Sequence, residues 1–198
     1  KLLITGNLNH PIISQNIAAF IENILPIILI KYPNLKTIIL GKDPTSFLKN
    51  IIKNTANVKH INFVNDFFDY LDNDWIYIYP QKCATGLQTK LQQALASGLP
   101  VIAYEISYGG LNLTYGKNAF KVHNEKDFLE YIDKLLSNPS LRINLGKNAT
   151  KYINSNFSIE KIGAKYTKAY KELIWNLLKY TYMNDIYYFF IKVYIMNY

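Results

Sequence analysis

One cysteine, one arginine and no long apolar run set the first limits on this chain. Cys83, alone in 198 residues, cannot close an internal disulfide and suits a reducing compartment. His10, His60 and His123 lie far apart, and with one cysteine they form no cluster at metal-ligand spacing. Neither a zinc centre nor a nucleophile–histidine–acid triad is indicated. Arg142 is the single arginine, so the net charge of +8 rests on lysine. An accompanying excess of Ile, Asn and Tyr marks an AT-rich coding bias. The charge therefore says little beyond a general affinity for anions such as nucleotides or lipid head groups. Basic and aromatic residues do not interleave on any strand face and no recognition helix is apparent, which argues against a nucleic-acid binder. No run reaches the roughly 18 apolar residues of a membrane span. Ile186–Met196 comes nearest and is broken by Lys192. No signal peptide is expected. G-x-G-x-x-G after the first strand and G-x-x-x-x-G-K-[ST] are both missing, which excludes a dinucleotide fingerprint and a P-loop.

What is present is a globular balance, with 49% hydrophobic and 18% charged residues. The chain opens directly on an apolar strand, LLIT (Leu2–Thr5), as expected of a fragment, a processed product or the second half of something larger. Helical periodicity follows at Ile17, Phe20, Ile21, Ile24, Leu25 and Ile28, with Pro26 forcing a kink or restart. Strands are predicted at Thr37–Leu40, Val58–Val64, Trp75–Tyr79, Leu99–Tyr104 and Ala119–Val122. Helices are predicted at Pro44–Asn54, from Asp66, and at Leu87–Ser97. Short continuous apolar strands between helices indicate a doubly wound α/β fold, a six-stranded parallel sheet with helices on both faces. Beyond Val122 the pattern is helical, over Glu125–Leu136, Pro139–Ser155 and Ser158–Tyr180, with Ser140 and Ser158 near helix starts. The aromatic end, Tyr182–Tyr198, shows no helical stripe.

The most informative stretch is PQKCATGLQTKLQQALASGLPVIAYE (Pro80–Glu105), a loop, a helix and a strand that follow the strand WIYIY. This order presents free backbone N–H groups to an anion at the helix N-terminus. Lys82 and Lys90 supply point charges suited to a diphosphate, and Gly86 lets the backbone approach it. The plain alternative is an ordinary βαβ crossover carrying two solvated lysines. In sheets of this kind ligands bind beyond the carboxyl ends of the strands, where GNLNHP, GKDPT, FVND, QKCATG and SYGG fall.

These same segments resemble the C-terminal, donor-binding domain of GT-B retaining glycosyltransferases (glycosyl transferases group 1, family 4-like). ITGNLNHP, IILGKDPT, NFVND, PQKCATGLQTKLQQALASGLPVIA and SYGGL carry the similarity, which spans residues 1–180 and leaves 181–198 as an aromatic tail of unassigned structure. The resemblance implies a nucleotide-sugar donor, a UDP-sugar or GDP-sugar, and no cofactor or metal. It places Lys82 and Lys90 on the donor's diphosphate, with backbone N–H groups at Thr85, Gly86 and Leu87. Gly6 and Asn7 would approach the diphosphate or sugar, and Phe63 and Val64 would line the nucleobase slot. Gln93 stands where the family has a glutamate that accepts ribose hydroxyls, so it lacks the charge-assisted bonds. The acceptor domain, which holds the catalytic groups in such enzymes, is not among these residues, so no catalytic residue is assigned here. The implied setting is cytoplasmic, with peripheral membrane contact. The alternative is a catalytically inactive nucleotide-binding remnant or binding module of the same fold.

Overall fold

A computed structural model describes residues 1–62, 74–84 and 86–196 of the chain. Among these residues the predicted apolar runs form six strands: β1 (Leu2–Thr5), β2 (Thr37–Leu40), β3 (Val58–Ile61), β4 (Ile76–Tyr79), β5 (Val101–Tyr104) and β6 (Phe120–Val122). They lie in the order β3-β2-β1-β4-β5-β6, with every neighbouring pair parallel. β1 and β4 are buried at each of their positions, the expected state of central strands covered on both faces, whereas the edge strand β3 is only partly covered. β3 ends at Ile61, short of the predicted Val64. Phe63, Val64 and the helix predicted from Asp66 fall outside the described residues.

The first helix shows why Pro26 does not break it. Proline lacks an N–H, and its ring would strike the carbonyl four residues back. Between α1 (Pro11–Ala19) and α2 (Leu25–Lys31) the chain therefore widens into a π turn, Phe20–Ile24, and the Leu25 amide donates to the Phe20 carbonyl. Pro11–Lys31 is 21 residues long and contains an 18-residue window of mean hydropathy 1.6, the length and composition of a membrane span, contrary to the expectation that no stretch would qualify. Much of its apolar surface is taken up by the sheet. Ile17, Ala18, Phe20, Ile21, Ile24 and Leu25 are all 3% exposed or less, and pack in one cluster with Leu2, Ile4, Ile39, Ile78 and Ile102.

The same cluster takes in Leu48 and Ile52 of α3 (Ser46–Asn54), and Phe128 and Ile132 of α5 (Glu125–Ser137). Phe128 meets Phe20 and Tyr104 edge-on, at 5.6 and 5.4 Å between ring centres. Alternate strand residues Leu3, Tyr77, Val101 and Ala103 are buried on the other face, as the period of two requires. There α4 (Thr89–Ala96) buries Leu91, Ala94 and Leu95, and Thr150 of α6 (Pro139–Phe157) donates to the Ala96 carbonyl at 3.2 Å. α6 starts at Pro139 as predicted, and Asn138 before it accepts from the Leu141 amide at 2.9 Å.

Residues 155–198 form a second compact unit. Ser158 accepts from the Lys161 amide at 3.3 Å and opens α7 (Ile159–Met196), which continues past the predicted end at Tyr180. Ile159, Ile162, Tyr166, Tyr170, Leu173, Ile174, Leu177 and Tyr180 fall on one arc of that helix and are all exposed.

Candidate functional site

β1 and β4 are neighbours in the sheet but not in the chain, and the strand order reverses between them. Their outgoing loops therefore part and leave a crevice at the carboxyl ends. A cleft of about 260 Å³ occupies that point. Thr5, Gly6 and Asn7 line it from the β1 side; Gln81, Leu87, Thr89 and Lys90 line it from the β4 side. Its β1 wall is held to the end of β2, where the Gly6 amide donates to the Leu40 carbonyl at 3.2 Å. At Gly41 a side chain would collide with the Gly6 carbonyl oxygen, so the two loops touch as closely as they do only because this residue is glycine.

Beneath the cleft a chain of polar contacts runs from β1 to the start of α4. Thr5 and Tyr77 share a hydrogen bond of 2.6 Å in the interior, and burial drives the Tyr77 phenol well above its ordinary pKa. Tyr77 stacks on Tyr79 with ring centres 6.3 Å apart. The Tyr79 hydroxyl donates to Gln88 Oε1 at 2.9 Å, and Gln88 Nε2 donates to the Gly86 carbonyl at 3.4 Å. Gly86 takes φ of +61°, which glycine adopts at little cost.

α4 begins at Thr89, two residues later than predicted, because Gln88 is spent on Tyr79 and Gly86 and the chain turns there before it coils. Gln88 caps no helix amide with its side chain, and the first turn closes with Gln92 donating to the Gln88 carbonyl at 3.0 Å. The amides of Thr89, Lys90 and Leu91 have no acceptor among the described residues, as the opening turn of a helix dictates. The amides of Gly86 and Leu87, expected to face the diphosphate, likewise have no acceptor among the described residues, and Thr85 lies outside them. Leu87 does line the cleft, half exposed. The Lys90 ammonium has no carboxylate partner among the described residues, and protein packed around it lowers its pKa by desolvation, although the side chain as a whole is exposed.

Gly6, Asn7, Leu87 and Lys90 are therefore brought together as the sequence suggests, but Lys82 and Lys90, expected to share one diphosphate, line separate hollows. Lys82 belongs to an open hollow of about 780 Å³ with Tyr104, His123 and Glu125. Its Nζ sits 3.5 Å from Glu125 Oε1 and 5.9 Å from the centre of the Tyr104 ring. Glu125, in the first turn of α5, is itself favoured there by the helix dipole. Gln93 lies exposed one turn along α4, outside the cleft lining, and its carbonyl accepts from the Ser97 hydroxyl at 2.7 Å.

Two residues of the site carry no signal in sequence. Gln81 is 2% exposed, and its Oε1 accepts from Asn16 Nδ2 of α1 at 3.0 Å. Its Nε2 is buried with no acceptor among the described residues. The pair is separated by 65 positions, so only the juxtaposition of α1 and β4 reveals it.

The model of the family described as glycosyl transferases group 1 matches residues 1–138. An uncharacterized glycosyltransferase of Haemophilus influenzae is 31% identical over 140 residues, covering 67% of this chain and 39% of the relative. Spore coat protein SA of Bacillus subtilis is 25% identical over 164 residues, covering 75% of this chain and 43% of its own length. The chain thus spans well under half of either curated relative. Among solved structures, the C-terminal domain of a glycosyl transferase group 1 family protein (LpcC) from Francisella tularensis superposes with a TM-score of 0.62 at 18% identity, over 80% of this chain and 86% of that one. TarM gives 0.71 at 22% identity, over 85% of this chain and 34% of its own. Anabaena HepE in complex with UDP gives 0.64 at 15% identity, over 86% of this chain and 48% of its own.

Proposed function

Because the chain belongs to the glycosyl transferases group 1 family, we propose that the cleft between β1 and β4 binds the diphosphate of a nucleotide-activated sugar. The observation that carries this is the meeting, at the point where strand order reverses, of three unpaired helix amides and a lysine with no carboxylate partner among the described residues. The cleft is small for a whole nucleotide-sugar and matches the diphosphate portion. Fold neighbours captured with UDP, HepE and S. aureus TarM, support the same ligand class.

In the proposed reaction the bond between the sugar's anomeric carbon and the diphosphate oxygen breaks, and the diphosphate leaves with the electron pair. Lys90 and the amides of Thr89–Leu91 stabilise the charge that builds on it. The incoming hydroxyl and the group that takes its proton belong to the acceptor domain, so this chain serves as the donor half of a hexosyltransferase and transfers sugar only when joined to that partner. UDP-sugars and GDP-sugars are the proposed donors. A cytoplasmic setting with peripheral membrane contact is part of the same proposal. Gln93 favours a second reading, an inactive nucleotide-binding remnant, because it carries an amide in place of the family's carboxylate.

Thermal unfolding of the isolated chain with UDP, GDP and ADP in turn tests donor binding. At least one should stabilise it, by about 2.7 kcal/mol at a hundredfold excess over the dissociation constant. Lys90→Ala should remove most of that gain. No stabilisation by any of the three overturns the proposal.

A further inference from the structure

A buried amide whose nitrogen has no partner among the described residues stands out in the cleft wall. Gln81 is 2% exposed, and its Nε2 lacks an acceptor among the described residues. Such a group is held at a cost to the rest of the fold. Its orientation is not free. Asn16 Nδ2 donates to Gln81 Oε1 at 3.0 Å, which occupies the acceptor end of the amide and leaves the NH₂ end over. The backbone is pinned as well, because the buried Ser107 hydroxyl donates to the Gln81 carbonyl at 3.1 Å. The residue lines the same cleft as Lys90, at the foot of the β4 loop.

We infer that Gln81 is a ligand-binding residue whose Nε2 donates to an oxygen of the bound diphosphate, with Asn16 as the residue that positions it. The chemistry follows from the orphaned end. A free N–H seeks an acceptor, and an amide donor gains most from one that is charged. The diphosphate would then be held from two sides: Gln81, steered by α1, from one, and Lys90 with the first amides of α4 from the other. This inference rests on the proposed donor site and adds to it the residue pair that fixes where the phosphate oxygens lie.

The test is titration of the chain with UDP, GDP and uridine, followed by heat. Gln81→Met keeps the length of the side chain and removes the donor. It should weaken binding of the preferred nucleoside diphosphate about tenfold and leave the unliganded chain as stable as before or more so, since an unsatisfied group is gone. Asn16→Ala leaves the donor in place but unsteered and should weaken the same binding by a smaller factor, about threefold, again without effect on uridine. A stabilised apo protein that binds the diphosphate less well is a combination that a merely structural glutamine does not produce. Unchanged diphosphate affinity in Gln81→Met, or an equal loss for uridine, overturns the inference while the donor site stands. Absence of nucleotide binding in the unsubstituted chain overturns both.

Discussion

At the scale of single residues the site turns on Lys90. Its carboxylate-free setting and lowered pKa have one cause, protein packed around an ammonium with no opposite charge among the described residues to offset the lost water. A diphosphate placed beside it restores the favoured charge, so binding takes up a proton wherever the free lysine has begun to lose its own. Affinity for the nucleoside diphosphate should therefore fall as pH rises, starting below the ordinary lysine range near about 10.4. Lys90→Arg should keep affinity level over the same interval, because guanidinium stays charged. Calorimetric titration across alkaline pH checks this, and an identical pH profile in both proteins counts against Lys90 as the contact. Lys82 illustrates what residue type alone does not reveal. Its chemistry and position in the motif suit a phosphate, but its partner Glu125 lies 43 positions away and draws it into a different hollow.

At the scale of elements, the strands were the legible part and the start of α4 was not. LLIT and TIIL are strands over the residues their apolar runs mark, because continuous burial on both faces leaves a continuous apolar run to read. The start of α4 depends on Gln88, whose side chain is engaged by Tyr79 from the preceding strand, and nothing in the local sequence announces that contact. At α5 the signal is local and explicit. Asn124 accepts from the Lys126 and Asp127 amides at 2.9 and 3.3 Å, and Asp127 reaches back to the His123 amide at 2.7 Å. Asn124→Ala should cost about 1 kcal/mol, seen in urea unfolding as a lower midpoint with unchanged slope. The π turn at Phe20–Ile24 lies between: Pro26 announces that something must give, and the structure determines that the helix widens instead of ending.

At the scale of the whole molecule, the order of the six strands decides where a ligand sits. A parallel sheet with one reversal has one favoured crevice, and the Pro80–Glu105 motif that dominates the sequence empties into it. What the sequence leaves hidden is the cooperation across that crevice: α1 lends Asn16 to Gln81, β1 lends Thr5 to Tyr77, and each pair is separated by more than sixty positions. The central claim is that a diphosphate occupies this crevice, and a crystal structure of the chain soaked with UDP or GDP tests it most directly. The expected result is density for the diphosphate within hydrogen-bonding distance of Lys90 Nζ and the amides of Thr89–Leu91. Phosphates found instead in the Lys82 hollow, or nucleotide density in neither place at saturating concentration, would contradict it.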